Sequence, residues 1–292
     1  MADDTVSEPI GNRYDRMEIA GAFGDLGTLV PFVVAYIGVL KMDPFGVLLA
    51  FGLTMVVCGF VYRTPIPVQP MKAAGAIATT QAAQTLVITP AMVWGASRVT
   101  GIIWLLLGLT DTARYVAKLI TPPVVLGIIL GLGFGFMIEG AKMMSQNWWI
   151  GGAALLGTSL LLTNHVIPAM FLLLLFGAAY GIWSDPTLLA ALREMHVDPR
   201  LPTFVLNSMT FNDFLLGAVF LALPQLPLTL GNAVIAITEE NNRLFPNRLI
   251  DESRISTSTG LMNLLSAGVG GVPMCHGAGG MAGHVQFGAR TG

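Results

Sequence analysis

Residues Pro65-Ile66-Pro67-Val68-Gln69-Pro70-Met71-Lys72, running on into the small-residue stretch Ala73–Ala78, place three prolines, a glutamine and a lysine between two apolar runs. A segment so placed lies at membrane depth. Lipid offers no hydrogen bonds to broken backbone, so such a segment survives only buried in protein or lining a polar cavity. The pattern predicts a discontinuous transmembrane helix: an extended, proline-rich lead-in, then a small-residue helix starting near Pro70. The amino end of that helix presents N–H groups and a positive dipole end to an anion. Lys72 adds a full charge there, and transport of a small anion is the first function this implies.

The chemistry of the whole chain agrees with a membrane setting. Its 292 residues are 54% hydrophobic and only 11% charged, with a mean hydropathy of +0.70; soluble domains average about 25% charged, enough to cover a surface of this size. The net charge of -2 gives no reason to expect nucleic-acid binding. Cys58 and Cys275 both sit in apolar segments and imply no disulfide framework. Met1 to Arg16 is polar and acidic, and no cleaved leader is expected.

Apolar spans are predicted at Glu18–Leu40 and Pro44–Tyr62, then a broken segment from Pro65 to about Gln81. Ala91–Thr110, Pro122–Ala141, Asn147–Thr163 and Val166–Trp183 follow. Beyond a polar stretch, Ser184–Pro202, come Phe211–Thr238, Ser258–Val272 and a second broken segment, Pro273–Phe287. A hydrocarbon core needs about 20 residues per helix, so Asn147–Thr163 and Ser258–Val272 read as short. With the N-terminus inside, nine basic residues fall on the cytoplasmic side and four outside. The positive-inside rule therefore predicts a multi-pass cell-membrane protein with a cytoplasmic N-terminus.

The chain also repeats itself. Gly52-Leu53 precedes Pro65 by the same interval that separates Gly260-Leu261 from Pro273, and each proline leads into small residues, the second time Cys275-His276-Gly277-Ala278-Gly279-Gly280. Upstream of the two copies lie Phe23-Gly24-Asp25-Leu26-Gly27 and Leu223-Pro224-Gln225-Leu226-Pro227. An odd number of predicted spans separates the copies, which inverts the second. Broken helices at matching places in inverted halves point to a transport site. The expected organisation is a tail at 1–17, a first repeat of seven spans at 18–183, a connecting loop at 184–210 and a partial second repeat of three spans at 211–292.

The strings FGDLGTLVP from Phe23, PVQPMKAAGAIA from Pro67, ALPQLPLTLGNAVIAI from Ala222 and VPMCHGAGGMAGHVQFGARTG from Val272 resemble the molybdate transporter family, related to the SulP sulfate carriers. The resemblance covers essentially Met17 to Gly292. It implies an all-α polytopic membrane protein with the seven-plus-seven inverted repeat of SulP and nucleobase carriers, here with the second repeat truncated just past the tenth span. It also implies a substrate bound between the amino ends of the third and tenth spans, at Gln69–Ala73 and Cys275–Gly279, and a homodimer formed through gate domains.

The candidate binding residues are Gln69, Pro70, Met71, Lys72 and Ala73 at the first break, Cys275, His276, Gly277 and Ala278 at the second, and Gln225 and Asn232 on a long span. A lysine near a span centre costs about 2.5–3.5 kcal/mol on insertion scales, which argues for a functional partner over simple snorkelling. The Gln69 amide can donate to an oxyanion or merely cap broken backbone. Asp25 would repel a dianion in the pocket, so it pairs with Lys72, handles a coupling proton, or is structural. His276 is expected to donate to the anion, the alternative being packing at the helix start. Gln225 and Asn232 either line the pocket or bond neighbouring helices. Gly127, Gly131 and Gly135 recur every four residues, the spacing of close helix packing. Cys275, His276 and His284 do not make a metal site, and His165, His196 and Asp198 read as solvated loop residues.

The leading function is a secondary active carrier of a tetrahedral oxyanion, molybdate by the resemblance, with sulfate and tungstate as alternative cargoes and the lipid bilayer as its setting. A sulfate or other small-anion carrier, or an anion channel, is the competing reading. No HExxH or GxSxG motif suggests an enzyme, no nucleotide-binding loop of the GxxxxGK[ST] type is present, and no cofactor is expected.

Overall fold

The computed structural model describes residues 11–80, 87–118, 122–162, 168–194, 200–205 and 208–292. His165, His196 and Asp198, and the end of the first broken segment at Gln81, lie outside these residues.

The chain opens with α1 (Arg16–Ala22), whose start is capped by Asp15 accepting from the N–H groups of Met17 and Glu18. The expected single span Glu18–Leu40 is instead two helices. After Phe23–Asp25 the chain resumes as α2 (Leu26–Gly38), bent from α1 by 42°. The break is held by close approach: a Cβ at Gly24 would sit 2.5 Å from the carbonyl oxygen of Gly283. Pro44 opens α3 (Pro44–Tyr62) behind the Asp43 cap, and Arg63 ends it in the left-handed region at φ 57°. With Pro65 two residues on, the helix cannot resume, because proline disfavours helical geometry in the residue before it and removes a donor. Pro65, Pro67 and Pro70 thus hold the lead-in extended until α4 (Lys72–Thr80) begins.

Beyond it lie α5 (Pro90–Leu109), α6 (Thr112–Lys118), α7 (Pro122–Met144), α8 (Trp148–Leu161) and α9 (Ala169–Ser184). The connecting stretch after them is not simply a loop, since α10 (Thr187–Glu194) forms within it. Next, α11 (Phe211–Leu244) outruns its predicted end at Thr238 and carries two π-helical stretches, Ala218–Ala222 and Thr229–Ala236. Helix α12 (Glu252–Val269) starts six residues before the predicted Ser258 because Asp251 caps it, accepting from the Arg254 N–H; Gly270 at φ 81° ends it. At 18 residues it is longer than predicted, though not among the helices apolar enough to cross a membrane. The chain closes with α13 (Ala278–Gln286).

Helices α3, α5 and α11, with the bent pair α1–α2, are long and apolar enough to cross a membrane, while α8 and α9 are shorter apolar helices. The core gathers around α3, α5, α11 and α12, with Tyr36, Trp104, Leu221 and Ile255 fully buried. Large apolar side chains on α7, α8 and α9, such as Phe134, Leu160 and Leu175, face outward, as lipid-facing residues do. Among the described residues, no atom lies within 4 Å of where a Cβ would sit at Gly127, Gly131 or Gly135. Among the described residues, the expected close helix packing is not seen at those glycines.

Candidate functional site

The two broken segments meet. Gln69–Pro70 (β1) and Met274–Cys275 (β2) pair antiparallel, Gln69 opposite Cys275 and Pro70 opposite Met274, and the Met71 N–H donates to the Pro273 carbonyl at 2.8 Å. Each strand leads into a half-helix, α4 at Lys72 and α13 at Ala278, so the antiparallel pair brings the lead-ins of the two half-helices together. The strand pair is enclosed: Gln69, Met71, Met274 and His276 are fully buried. Extended backbone at such depth needs partners for its polar groups, and polar side chains supply them. Asn263 on α12 donates through Nδ2 to the Met274 carbonyl at 2.6 Å and accepts the Met274 N–H at 2.9 Å through Oδ1. One turn on, the Ser266 hydroxyl donates to the Val272 carbonyl at 2.6 Å.

His276 does not stand as the donor to an anion that its position suggested. A carbonyl oxygen only accepts, so Nδ1, 2.8 Å from the Pro67 oxygen, carries a proton and donates it there. Nε2 lies 2.8 Å from the Ser258 hydroxyl, which also accepts from Tyr62 Oη at 2.6 Å. Both ring nitrogens are engaged, so the ring ties the start of α13 to the lead-in of α4.

Gln69 is placed differently. Its amide lies against Gly277 and Gly280, where a Cβ on either glycine would overlap it, and Asp25 Oδ2 would lie 2.6 Å from the Gly280 Cβ. Gln69 Oε1 and Nε2 have no close hydrogen-bond partner among the described residues beyond the interaction of the amide with the neighbouring Asp25 carboxylate, so an enclosed amide is presented at the amino end of α13, which itself has no side-chain cap. Lys72 opens α4, half-buried, within electrostatic reach of Cys275 and Asp25. The amino end of α4 is capped: Gln225 Oε1 accepts from the N–H groups of Ala73 at 2.8 Å and Ala74 at 3.2 Å. Gln225 Nε2 donates to Thr229 Oγ1 at 3.0 Å. Asn232, seven residues beyond Gln225 on α11, is buried and its Oδ1 has no partner among the described residues.

A cavity of about 430 Å³ borders the site on the side of the extended lead-in, lined among others by Phe23, Asp25, Thr64, Pro67, Val68 and His284. Among the described residues no group of acidic, histidine and cysteine side chains is arranged to hold a metal.

The structure thus brings Gln69, Lys72, Ala73, Asp25, Gln225 and the Cys275–Ala278 turn into one buried cluster. Asn263, Ser258, Ser266 and Thr229 support it and were not singled out from the sequence. Their signal was there: Thr259, Asn263 and Ser266 recur at helical spacing through an apolar stretch and are all buried on α12.

Comparisons with known proteins bear on the family and the fold. Residues 17–136 and 217–292, both broken segments included, match the family described as "Molybdate transporter of MFS superfamily". Molybdate transporter 2 of Arabidopsis thaliana is 29% identical over 94% of this chain and 68% of its own. Molybdate transporter 1 of the same plant is 30% identical over 96% of this chain and 70% of its own. Molybdate transporter 1 of Chlamydomonas reinhardtii is 26% identical over 94% and 74%. Among solved structures, the transmembrane domain of the cyanobacterial bicarbonate transporter BicA superposes with a TM-score of 0.57 at 14% identity, covering 96% of this chain and 80% of that one, which shows a shared membrane fold. The family match spans well over half of the residues and takes in every candidate site position, and the chain belongs to the molybdate transporter family.

Proposed function

We propose that this protein is a secondary carrier of molybdate, bound as a tetrahedral dianion between the amino ends of α4 and α13. The observation that supports this reading is the antiparallel β1–β2 pair, which brings together the buried lead-ins of the two half-helices. Aligned N–H groups at a helix start favour negative charge, and burial strengthens that attraction. The enclosed Gln69 amide supplies a neutral donor and Lys72 the full charge, while the backbone from Cys275 to Ala278 supplies further N–H groups.

Asp25 is the coupling candidate. Its carboxylate at the α1–α2 break, beside Gln69, repels a dianion unless neutralised by Lys72 or a proton, which links cargo entry to charge at this residue. The inverted-repeat reading supports alternating access by motion about this fixed point. A cytoplasmic N-terminus and a homodimer belong to the same proposal.

The test is uptake of radiolabelled molybdate into vesicles holding the purified protein, competed with sulfate and tungstate and repeated with a protonophore. Saturable uptake, blocked by tungstate and weakly by sulfate, is expected. Uptake that rises linearly with concentration and resists competition contradicts a carrier and favours a channel.

A further inference from the structure

The two half-helix ends are not alike. At α13 the start has no side-chain cap and faces an enclosed amide, Gln69, which interacts with the Asp25 carboxylate and has no closer hydrogen-bond partner among the described residues. At α4 two N–H groups are already taken by one side-chain oxygen, Gln225 Oε1. The orientation of that amide follows from the two N–H donors, which need an oxygen acceptor, and leaves Nε2 to donate to Thr229 Oγ1.

Building on the oxyanion reading above, we propose that Gln225 is a displaceable stand-in for the cargo. Its carboxamide oxygen occupies the α4 donors in this conformation and must swing away before α4 can hold the anion. A carbonyl oxygen carries partial negative charge and accepts from Ala73 and Ala74 as an oxyanion oxygen would. It thereby satisfies, at membrane depth, donors that would be costly to leave empty. The cargo then meets the α13 end and Gln69 first, and α4 closes on it only as Gln225 leaves.

The local backbone suits such a movement. Gln225 sits on α11 between the π-helical stretches Ala218–Ala222 and Thr229–Ala236 and is flanked by Pro224 and Pro227. Prolines remove helix hydrogen bonds, and π turns re-register them, so this part of α11 is less tightly tied than a regular helix. The stand-in also sets a threshold for entry: an anion must outcompete Gln225, so its apparent affinity is reduced by the fraction of protein in the capped state.

The test is the dissociation constant for molybdate, tungstate and sulfate in detergent, measured for the parent, Gln225→Ala and Gln225→Glu. Removing the stand-in should tighten molybdate binding about tenfold, as expected if the capped state holds about nine-tenths of the population. Gln225→Glu keeps the acceptor for both N–H groups and adds a charge, so it should fold, weaken binding at least as much, and recover affinity when acid neutralises the introduced carboxylate.

If the parent binds and Gln225→Ala binds more weakly, Gln225 is a ligand and the stand-in is overturned. Where the alanine variant does not fold, unchanged affinity in Gln225→Glu overturns it equally. A parent that binds none of the three while Gln225→Ala binds one supports a dominant cap. Failure of both overturns the stand-in together with the oxyanion reading.

Discussion

Asn263 holds Met274 at both backbone groups, its amide donating to the carbonyl at 2.6 Å and accepting the N–H at 2.9 Å. This side chain acts as a third strand along β2, completing the hydrogen bonding of extended backbone that lipid could not satisfy. Asn263→Leu leaves two buried backbone groups without partners and should cost about 2–4 kcal/mol. Asn263→Asp should also destabilise, since it loses the donor to Met274. Thermal unfolding in detergent checks both, and a leucine variant as stable as the parent would remove Asn263 from the supports of the site.

The link between His276 and Pro67 gives a second expectation. Ser258→Ala removes the hydroxyl from His276 Nε2 but spares the bond to Pro67, so it should destabilise by about 1 kcal/mol and leave molybdate affinity within about threefold of the parent. His276→Phe breaks both bonds and should lower stability and affinity together. A phenylalanine variant that stays as stable as the parent but fails to bind molybdate would return the His276 ring to the list of ligands.

Gly280 tests the placement of Gln69. A Cβ at this position overlaps the Gln69 amide and sits 2.6 Å from Asp25 Oδ2, so Gly280→Ala must push both groups from their places. Displacements of about 1 Å at a positioned site can cost about 10²-fold. Molybdate uptake should fall on that order while the protein still reaches the membrane, and uptake unchanged from the parent would show that Gln69 and Asp25 need not sit over α13.

How much of this was legible in the sequence depended on the kind of signal. Pro65, Pro67, Pro70 and Pro273 act locally on the chain itself, so the two breaks and their matched spacing could be read directly. The partners at those breaks could not, because they are fixed by tertiary packing. Nothing near Gln225 in sequence says that its oxygen caps Ala73 and Ala74, or that the two ring nitrogens of His276 are engaged by the Pro67 carbonyl and the Ser258 hydroxyl. The α1–α2 bend was missed for a related reason: Gly24 and Asp25 sit in an apolar run, and the break exists because α13 approaches at Gly283. The start of α12 was missed because Asp251 and Glu252 lack the apolar character used to place spans, although Asp251 is a helix cap.

Lys72 separates charge from fold. Lys72→Met should weaken molybdate binding strongly while insertion into the membrane is preserved, since the substitution removes a charge that lipid disfavours. Lys72→Arg keeps the charge but presents a planar fork in place of a compact ammonium, and should restore binding only in part. Unchanged uptake kinetics in Lys72→Met would make this lysine structural.

Outside the spans, the amino-terminal cap gives a pH expectation. The Glu18 N–H donates to Asp15 and, with the Arg13 guanidinium and the Met17 N–H, holds its carboxyl below the usual carboxylate range against partial burial. A carboxyl lowered on folding contributes stability that is complete above its unfolded value, near 3.9, and is lost as pH falls through the lower folded value. The parent should therefore show a small loss of Tm on acidification below about pH 4 that is absent in Asp15→Asn. An identical acid limb in both proteins would show that the cap does not titrate with folding.

The central claim is that the anion sits between the amino ends of α4 and α13. Molybdenum scatters X-rays anomalously, so crystals grown with molybdate locate the cargo without assumptions about its ligands. The account predicts one strong anomalous peak beside the Gln69 amide and the Gly277–Gly280 turn, within reach of Lys72. A single peak elsewhere, such as in the cavity along Thr64–Val68, would contradict it.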